Sequence, residues 1–115
     1  MKMRDALQDI LRYVARIEKT ASEGEEAFYA DYRNQDSIIR QYEVIGEIVK
    51  RLPSSILDQA PEVNWSQIKG FRDFLAHNYD RIELQVVWSA VQKLPSLKSA
   101  VVELLDSLPP EEDNP

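Results

Sequence analysis

Apolar residues recur along this chain at steps of three and four residues, and this spacing constrains its fold more than any other feature. The two clearest series are Leu7, Ile10, Leu11, Val14 and Ile17, followed by Ile38, Tyr42, Ile45, Val49 and Leu52. Residues spaced in this way share one face of an α-helix, whereas a strand would show strict alternation. The sequence therefore predicts amphipathic helices that each bury one face.

The first half of the chain is predicted to form two long helices. The first covers about residues 3–21. The second begins near residue 23, because Ser22 and Glu25 have the spacing of a capping box, and it ends before Pro53. Gly46 lies inside this second helix, where glycine costs about 1 kcal/mol relative to alanine. We therefore expect a neighbouring helix or a second subunit to approach the backbone at Gly46.

The second half is predicted to form one short turn of helix within residues 53–64 and three longer helices. Asn64 is the expected cap of a helix over about residues 65–77. Asp80 and Glu83 repeat the capping-box spacing before the next helix, and Pro95 suits the first turn of the last one. The fold class is all-α, an up-and-down bundle of four to five helices. The large core residues are expected to be Trp65, Phe71, Leu75 and Trp88.

Length and composition bound the organisation and the location of the protein. A chain of 115 residues holds one core, predicted here as a helical domain over residues 1–108 with a disordered acidic tail over residues 109–115. The sequence has no apolar run of membrane length and no secretory leader, so we expect a cytoplasmic protein without a membrane partner. With no cysteine and one histidine, neither a disulfide nor a structural metal site is expected, and no cofactor is implied.

The net charge of −6 argues against a broadly basic nucleic-acid surface. Any RNA site would have to be small and focused. Lys69, Arg72 and Arg81 are the positive residues near the chain's only histidine, His77, so Lys69 and Arg81 are candidate contacts for RNA phosphates.

His77 lies five residues after Arg72 and two before Tyr79. Cleavage of RNA without a metal requires proton transfer and stabilisation of charge on a phosphate. Histidine titrates near 6.5, and arginine can donate two forked hydrogen bonds to phosphate oxygens. Asp73 precedes His77 by four residues, so its carboxylate is expected to accept from one ring nitrogen and orient the ring.

A site built from Arg72 and the single histidine has two structural requirements. On a continuous helix Arg72 and His77 would lie about 140° apart, so their convergence requires the helix to end near His77. One histidine does not readily act as both acid and base in one turnover, which favours a two-fold symmetric homodimer. A purely structural interpretation also fits these residues. In it, Arg72, His77 and Tyr79 form a helix cap, a surface ion pair and a half-buried phenol.

The segment RDFLAHNY, residues 72–79, resembles the Arg-x4-His-x-Tyr signature of the HEPN superfamily. Other segments are similar to the HepT toxin family: SIIRQ (37–41), IGE (45–47), KRLP (50–53), WSQIKGFRD (65–73), VW (87–88) and LPSL (94–97). Several ordered matches are more specific than one arginine and histidine pair. Two departures from the family pattern are Asp73, where many relatives have asparagine, and Ile48, where a small residue is common.

The resemblance implies a metal-independent HEPN ribonuclease toxin that acts as a homodimer with its catalytic groove between the protomers. Arg72 and His77 correspond to the catalytic pair, and Asp73 to the polar position after the arginine. The resemblance also implies a partner, a nucleotidyltransferase antitoxin of the MNT type, which uses ATP to place AMP groups on the motif tyrosine, Tyr79. The alternatives are a non-catalytic HEPN module that binds this nucleotidyltransferase or a nucleotide, and a purely structural helical dimer.

Overall fold

A computed structural model describes residues 2–78 and 80–109 of the chain. Within these ranges it contains helices and no strand, so the predicted all-α fold class is confirmed. The helices are α1 (Met3–Ala21), α2 (Glu25–Ala30), α3 (Tyr32–Arg51), α4 (Ser54–Leu57), α5 (Trp65–His77), α6 (Leu84–Gln92) and α7 (Leu94–Asp106). Among the described helices, none has the length and apolar character that crossing a bilayer requires.

Helix α3 lies at the centre of the bundle and packs against α1, α2, α5 and α6, while α7 covers another side of α1. The two apolar series of the sequence form the core between α1 and α3. All their members are buried except Leu11, which is half-buried. Since one buried CH₂ group contributes about 0.8 kcal/mol, these two faces supply much of the driving force for folding.

The predicted single helix after residue 23 is wrong, because the chain forms α2 and α3 with a break at Asp31. Asp31 is extended, with φ −128° and ψ 111°, and its carboxylate accepts from the backbone N–H of Arg33 at 2.9 Å. Aspartate favours such a cap over a helix interior. Ser22 does not cap α2 either, since its hydroxyl donates to the Lys19 carbonyl at the end of α1.

Side-chain amides of α3 complete the break by bonding the last carbonyls of α2. Gln35 Nε2 donates to the carbonyl oxygen of Phe28 at 3.0 Å, and Asn34 donates to that of Ala27 at 3.4 Å. These bonds satisfy acceptors that have no partner within so short a helix. The break turns Phe28 inward, where it is fully buried and its ring lies 5.2 Å from that of Trp88.

Three of the predicted features in the second half are confirmed. Residues 53–64 contain the short helix α4, Asn64 accepts from the backbone N–H of Gln67 at 3.0 Å, and Pro95 lies in the first turn of α7. The capping box of Asp80 is wrong, because α6 begins after Glu83 without a side-chain cap. Asp80 instead lies in a turn in which the Arg81 N–H donates to the Asn78 carbonyl at 2.8 Å.

Of the four large residues predicted to be buried, Trp65 and Leu75 are buried, whereas Phe71 and Trp88 are half-buried. On one side of Phe71 lies Tyr42, and the centroids of the two rings are 5.4 Å apart. On the other side Phe71 borders an open cavity of about 520 Å³ between α5, α6 and α7. The predicted disordered tail, residues 109–115, lies outside the described residues except for Pro109.

Candidate active site

Helix α5 carries Arg72, Asp73 and His77 near its C-terminal end. The helix ends at His77 as predicted, but the cap that ends it is Asn78. The Asn78 side-chain amide donates to the Phe74 carbonyl oxygen at 3.0 Å, and its backbone N–H bonds the same oxygen. These two bonds satisfy an acceptor that the helix leaves without a partner. His77 therefore projects from the last turn and is exposed.

Gly46 of α3 allows Arg72 to lie directly against the α3 backbone. A Cβ atom at Gly46 would overlap the Cβ atom of Arg72 and come within 2.7 Å of its Cγ atom. The close approach that glycine predicted at this position is confirmed, and the approaching element is α5 of the same chain. The packing leaves only 27% of the Arg72 side chain exposed.

Two carboxylates hold the terminal nitrogens of Arg72. Nη2 lies 2.9 Å from Oε2 of Glu47 on α3, and Nη1 lies 3.2 Å from Oδ1 of Asp73 on α5. The remaining nitrogen, Nε, is buried and has no hydrogen-bond partner in the part of the chain that the structure describes. Carboxylates therefore hold both terminal nitrogens of the guanidinium, and α3 covers the aliphatic part of the Arg72 side chain.

The Asp73 carboxylate is not bonded to His77, contrary to the prediction. Lys50 of α3 donates to Asp73 Oδ1 at 3.1 Å, and Arg72 bonds the same oxygen. The hydrogen bond from Lys50 lowers the pKa of Asp73, and the bond from Arg72 adds to this effect. The carboxylate thus faces α3, because Lys50 of α3 and Arg72 of α5 both bind it there.

His77 is oriented by the backbone of Asp73 rather than by its side chain. Nδ1 of the ring lies 2.7 Å from the Asp73 carbonyl oxygen. A carbonyl oxygen only accepts hydrogen bonds, so Nδ1 must carry the proton. In neutral His77 the other nitrogen, Nε2, is then unprotonated and can take up a proton.

The structure does not join all the candidate residues. In the described part of the chain no hydrogen bond connects Arg72 with His77, although both lie on α5. Lys69 lies three residues before Arg72 on the same helix, and Arg81 is exposed in the turn before α6. The Tyr79 prediction lies outside the described residues.

Sequence reasoning missed three residues of this site, namely Glu47, Lys50 and Asn78. Gly46 was the available signal for the first two, because a helix that approaches a glycine also contacts the residues beside it. Among residues 2–78 and 80–109, no group of three or more histidine, aspartate or glutamate side chains is placed to hold a metal ion. The local arrangement offers one positioned cation and one oriented proton acceptor.

Comparison with known proteins identifies the family. The family described as "Ribonuclease HepT-like" matches residues 10–104. The chain belongs to this family. This membership agrees with the resemblance carried by the motif and by the segments around it. No solved structure matches the chain.

Curated relatives of this HepT-like chain carry ribonuclease names. The "Probable ribonuclease HepT" of Thermococcus cleftensis is 34% identical over 103 residues, covering 88% of this chain and 94% of the relative. A "Putative RNase" of Caldanaerobacter subterraneus subsp. tengcongensis is 33% identical over 90 residues, covering 77% and 80%. A "Gamma-glutamylcyclotransferase and putative RNase" of Methanocaldococcus jannaschii is 30% identical over 110 residues, covering 94% of this chain. This chain spans 50% of the length of that last relative.

Proposed function

We propose that this chain is a HEPN-type ribonuclease toxin that cleaves RNA without a metal ion. The observation that carries the proposal is the hydrogen bond between His77 Nδ1 and the Asp73 carbonyl oxygen, because it leaves Nε2 free to take a proton. Arg72 supplies a cation on the same helix. Membership of the ribonuclease HepT-like family and the names of the relatives support the same activity.

The chemistry follows from these two side chains. Nε2 of His77 takes the proton of a 2′-hydroxyl, and the 2′-oxygen attacks the adjacent phosphorus atom as the bond to the 5′-oxygen breaks. N–H groups of Arg72 stabilise the negative charge that develops on the phosphate oxygens. The leaving 5′-oxygen takes up a proton, so the products are a 2′,3′-cyclic phosphate and a 5′-hydroxyl.

A homodimer belongs to the proposal because the proton for the leaving oxygen needs a second donor. A second copy of the chain would supply another histidine and another arginine to one groove. An exposed apolar side chain on the helix of the site supports such a partner. Phe74 lies between Asp73 and Leu75 and is 39% exposed.

The activity is tested by incubating the purified chain with RNA in EDTA. We expect cleavage that is unchanged by the chelator, with 5′-hydroxyl ends that a polynucleotide kinase labels without prior phosphatase treatment. Cleavage that requires added Mg²⁺ or leaves 5′-phosphate ends would contradict the mechanism. Absence of any cleavage by the unmodified chain would favour the non-catalytic module that binds a nucleotidyltransferase or a nucleotide.

The proposal includes neutralisation by a nucleotidyltransferase antitoxin of the MNT type. This partner would transfer AMP from ATP to the hydroxyl of Tyr79, releasing pyrophosphate. Tyr79 follows His77 by two residues, so the added phosphates lie close in sequence to both members of the catalytic pair. Their negative charge and bulk would oppose binding of the RNA phosphate beside Arg72.

Tyr79→Phe separates modification from cleavage. We expect this variant to cleave RNA as the wild type does, yet to gain no AMP when it is incubated with ATP and a nucleotidyltransferase of the MNT type that modifies the wild type. Intact-protein mass spectrometry measures the modification, and the cleavage assay measures its effect. Tyr32→Phe is the matched control, because Tyr32 is 70% exposed and should not affect modification. AMP addition to Tyr79→Phe would assign the acceptor to another residue.

A further inference from the structure

Helix α3 makes two separate contacts with the candidate catalytic arginine. The backbone at Gly46 provides the space into which the Arg72 stem fits, and the next residue, Glu47, binds the far end of the guanidinium at 2.9 Å. A surface arginine normally samples several rotamers, and ordering it costs free energy when it must align with the charge that develops on the phosphate in the transition state. Contacts at both ends remove much of this cost before the substrate arrives.

The hydrogen-bond donors of Arg72 show what this arrangement leaves available. A guanidinium has five N–H donors, of which two belong to each terminal nitrogen. Glu47 engages Nη2, Asp73 engages Nη1, and Nε is buried. Among the partners that residues 2–78 and 80–109 provide, none bonds Nε, and one N–H group on each terminal nitrogen remains for a ligand. Arg72 can be held by protein carboxylates and still donate two hydrogen bonds to a phosphate.

The formal charges of Arg72 and of the groups linked to it by ion pairs also balance. Glu47 and Asp73 alone would leave the group with a net negative charge, which would repel an RNA phosphate. Lys50, one turn after Glu47 on α3, bonds Asp73 at 3.1 Å and brings the sum of the four charges to zero. An additional positive charge, Arg51, lies 3.8 Å from Glu47. The guanidinium is thereby fixed by two carboxylates without an excess of negative charge.

We propose that Glu47 is the positioning residue of Arg72, holding the guanidinium in place through Nη2 while its free N–H groups stabilise the charge that develops on the RNA phosphate. This inference rests on the proposed ribonuclease function, because it assigns Glu47 a role at the same site. Glu47 acts through Arg72 and does not contact the substrate. Its effect therefore falls on the transition state, for which the position of the cation matters, more than on ground-state binding.

Kinetics of Glu47→Ala and Glu47→Gln test the role. We expect Glu47→Ala to lower kcat by about 10- to 100-fold without raising KM, as misplacement of a positioned group does. Glu47→Gln keeps an acceptor oxygen, so its kcat should lie between those of the wild type and Glu47→Ala. Glu43→Gln is the matched control, because Glu43 lies one turn earlier on α3 and forms no ion pair with Arg72 in the described part of the chain. It should cleave RNA like the wild type.

A second measurement does not depend on cleavage. A guanidinium held at both terminal nitrogens rotates slowly about its Nε–Cζ bond, so ¹⁵N NMR should resolve separate Nη signals for Arg72, assigned by their loss in Arg72→Lys. We expect these signals to merge in Glu47→Ala and to persist in Glu43→Gln, with a native far-UV CD spectrum in both variants. If the wild type cleaves no RNA, the proposed function fails while this measurement still decides whether Glu47 holds Arg72.

Two results would overturn the inference. An Arg72 signal that is unchanged in Glu47→Ala would show that α3 does not hold the guanidinium. A higher kcat/KM in Glu47→Ala would show that Glu47 competes with the phosphate for Arg72 instead of positioning it.

Discussion

Replacing His77 with alanine is expected to lower the rate of RNA cleavage by about 10²- to 10⁴-fold, the usual contribution of a positioned acid or base. His77 is exposed, so its loss should leave the fold intact. His77→Asn sharpens the test, because its amide can still donate to the Asp73 carbonyl but cannot take up a proton at neutral pH. Both variants should show this loss in the EDTA assay. Cleavage by His77→Asn at the wild-type rate would contradict a proton-transfer role.

Arg72→Ala should lower the rate by about 10²- to 10³-fold, comparable to the loss of one donor that stabilises a developing charge. Arg72→Lys keeps the charge and loses the two-pronged geometry, so it should recover only part of the rate. Arg12→Ala is the control, because Arg12 is also an arginine in a carboxylate pair, bonded to Asp9 at 3.0 Å on the surface of α1. Equal rates for Arg72→Ala and Arg12→Ala would remove Arg72 from the mechanism.

Gly46→Ala is expected to destabilise the fold by about 1–3 kcal/mol, the cost of an extra methyl group in a packed interface. The new Cβ would overlap the Cβ of Arg72, which is attached directly to the α5 backbone and cannot rotate away. Helices α3 and α5 must then separate, and the separation would displace the guanidinium. The free energy of unfolding, measured in urea, and the cleavage rate should therefore fall together.

Gly70→Ala is the matched control for this substitution. Gly70 also lies inside a helix, α5, but it is exposed, and among the described residues outside its own stretch of helix a Cβ there would have no neighbour within 4 Å. The same change should stabilise the fold by about 0.5–1 kcal/mol, because alanine has the higher helix propensity. If Gly46→Ala lowers the free energy of unfolding and Gly70→Ala raises it, the loss at Gly46 is caused by the contact with Arg72. Stabilisation by both substitutions would show that α3 and α5 do not approach each other as closely as described.

The helices and the candidate catalytic residues were predictable from sequence because their signals are local. The apolar series of α1 and α3, the Asn64 cap and Pro95 each act within one or two turns of the chain. The break at Asp31 was not predicted, because aspartate is compatible with both a helix surface and a cap. Bonds from Asn34 and Gln35 to the carbonyls of α2 accompany the cap, and they form only when the chain has already turned.

The sequence by itself determined that this chain forms amphipathic helices and that an arginine and the only histidine lie near the end of one of them, α5. Only the tertiary structure decided which groups surround that arginine. Lys50 and Asp73 are 23 residues apart, and the α3 positions that meet α5 depend on how two helices cross. Competition among nearby charges then settled the outcome: Asp73 binds cations of α3 and α5, and its backbone carbonyl orients His77.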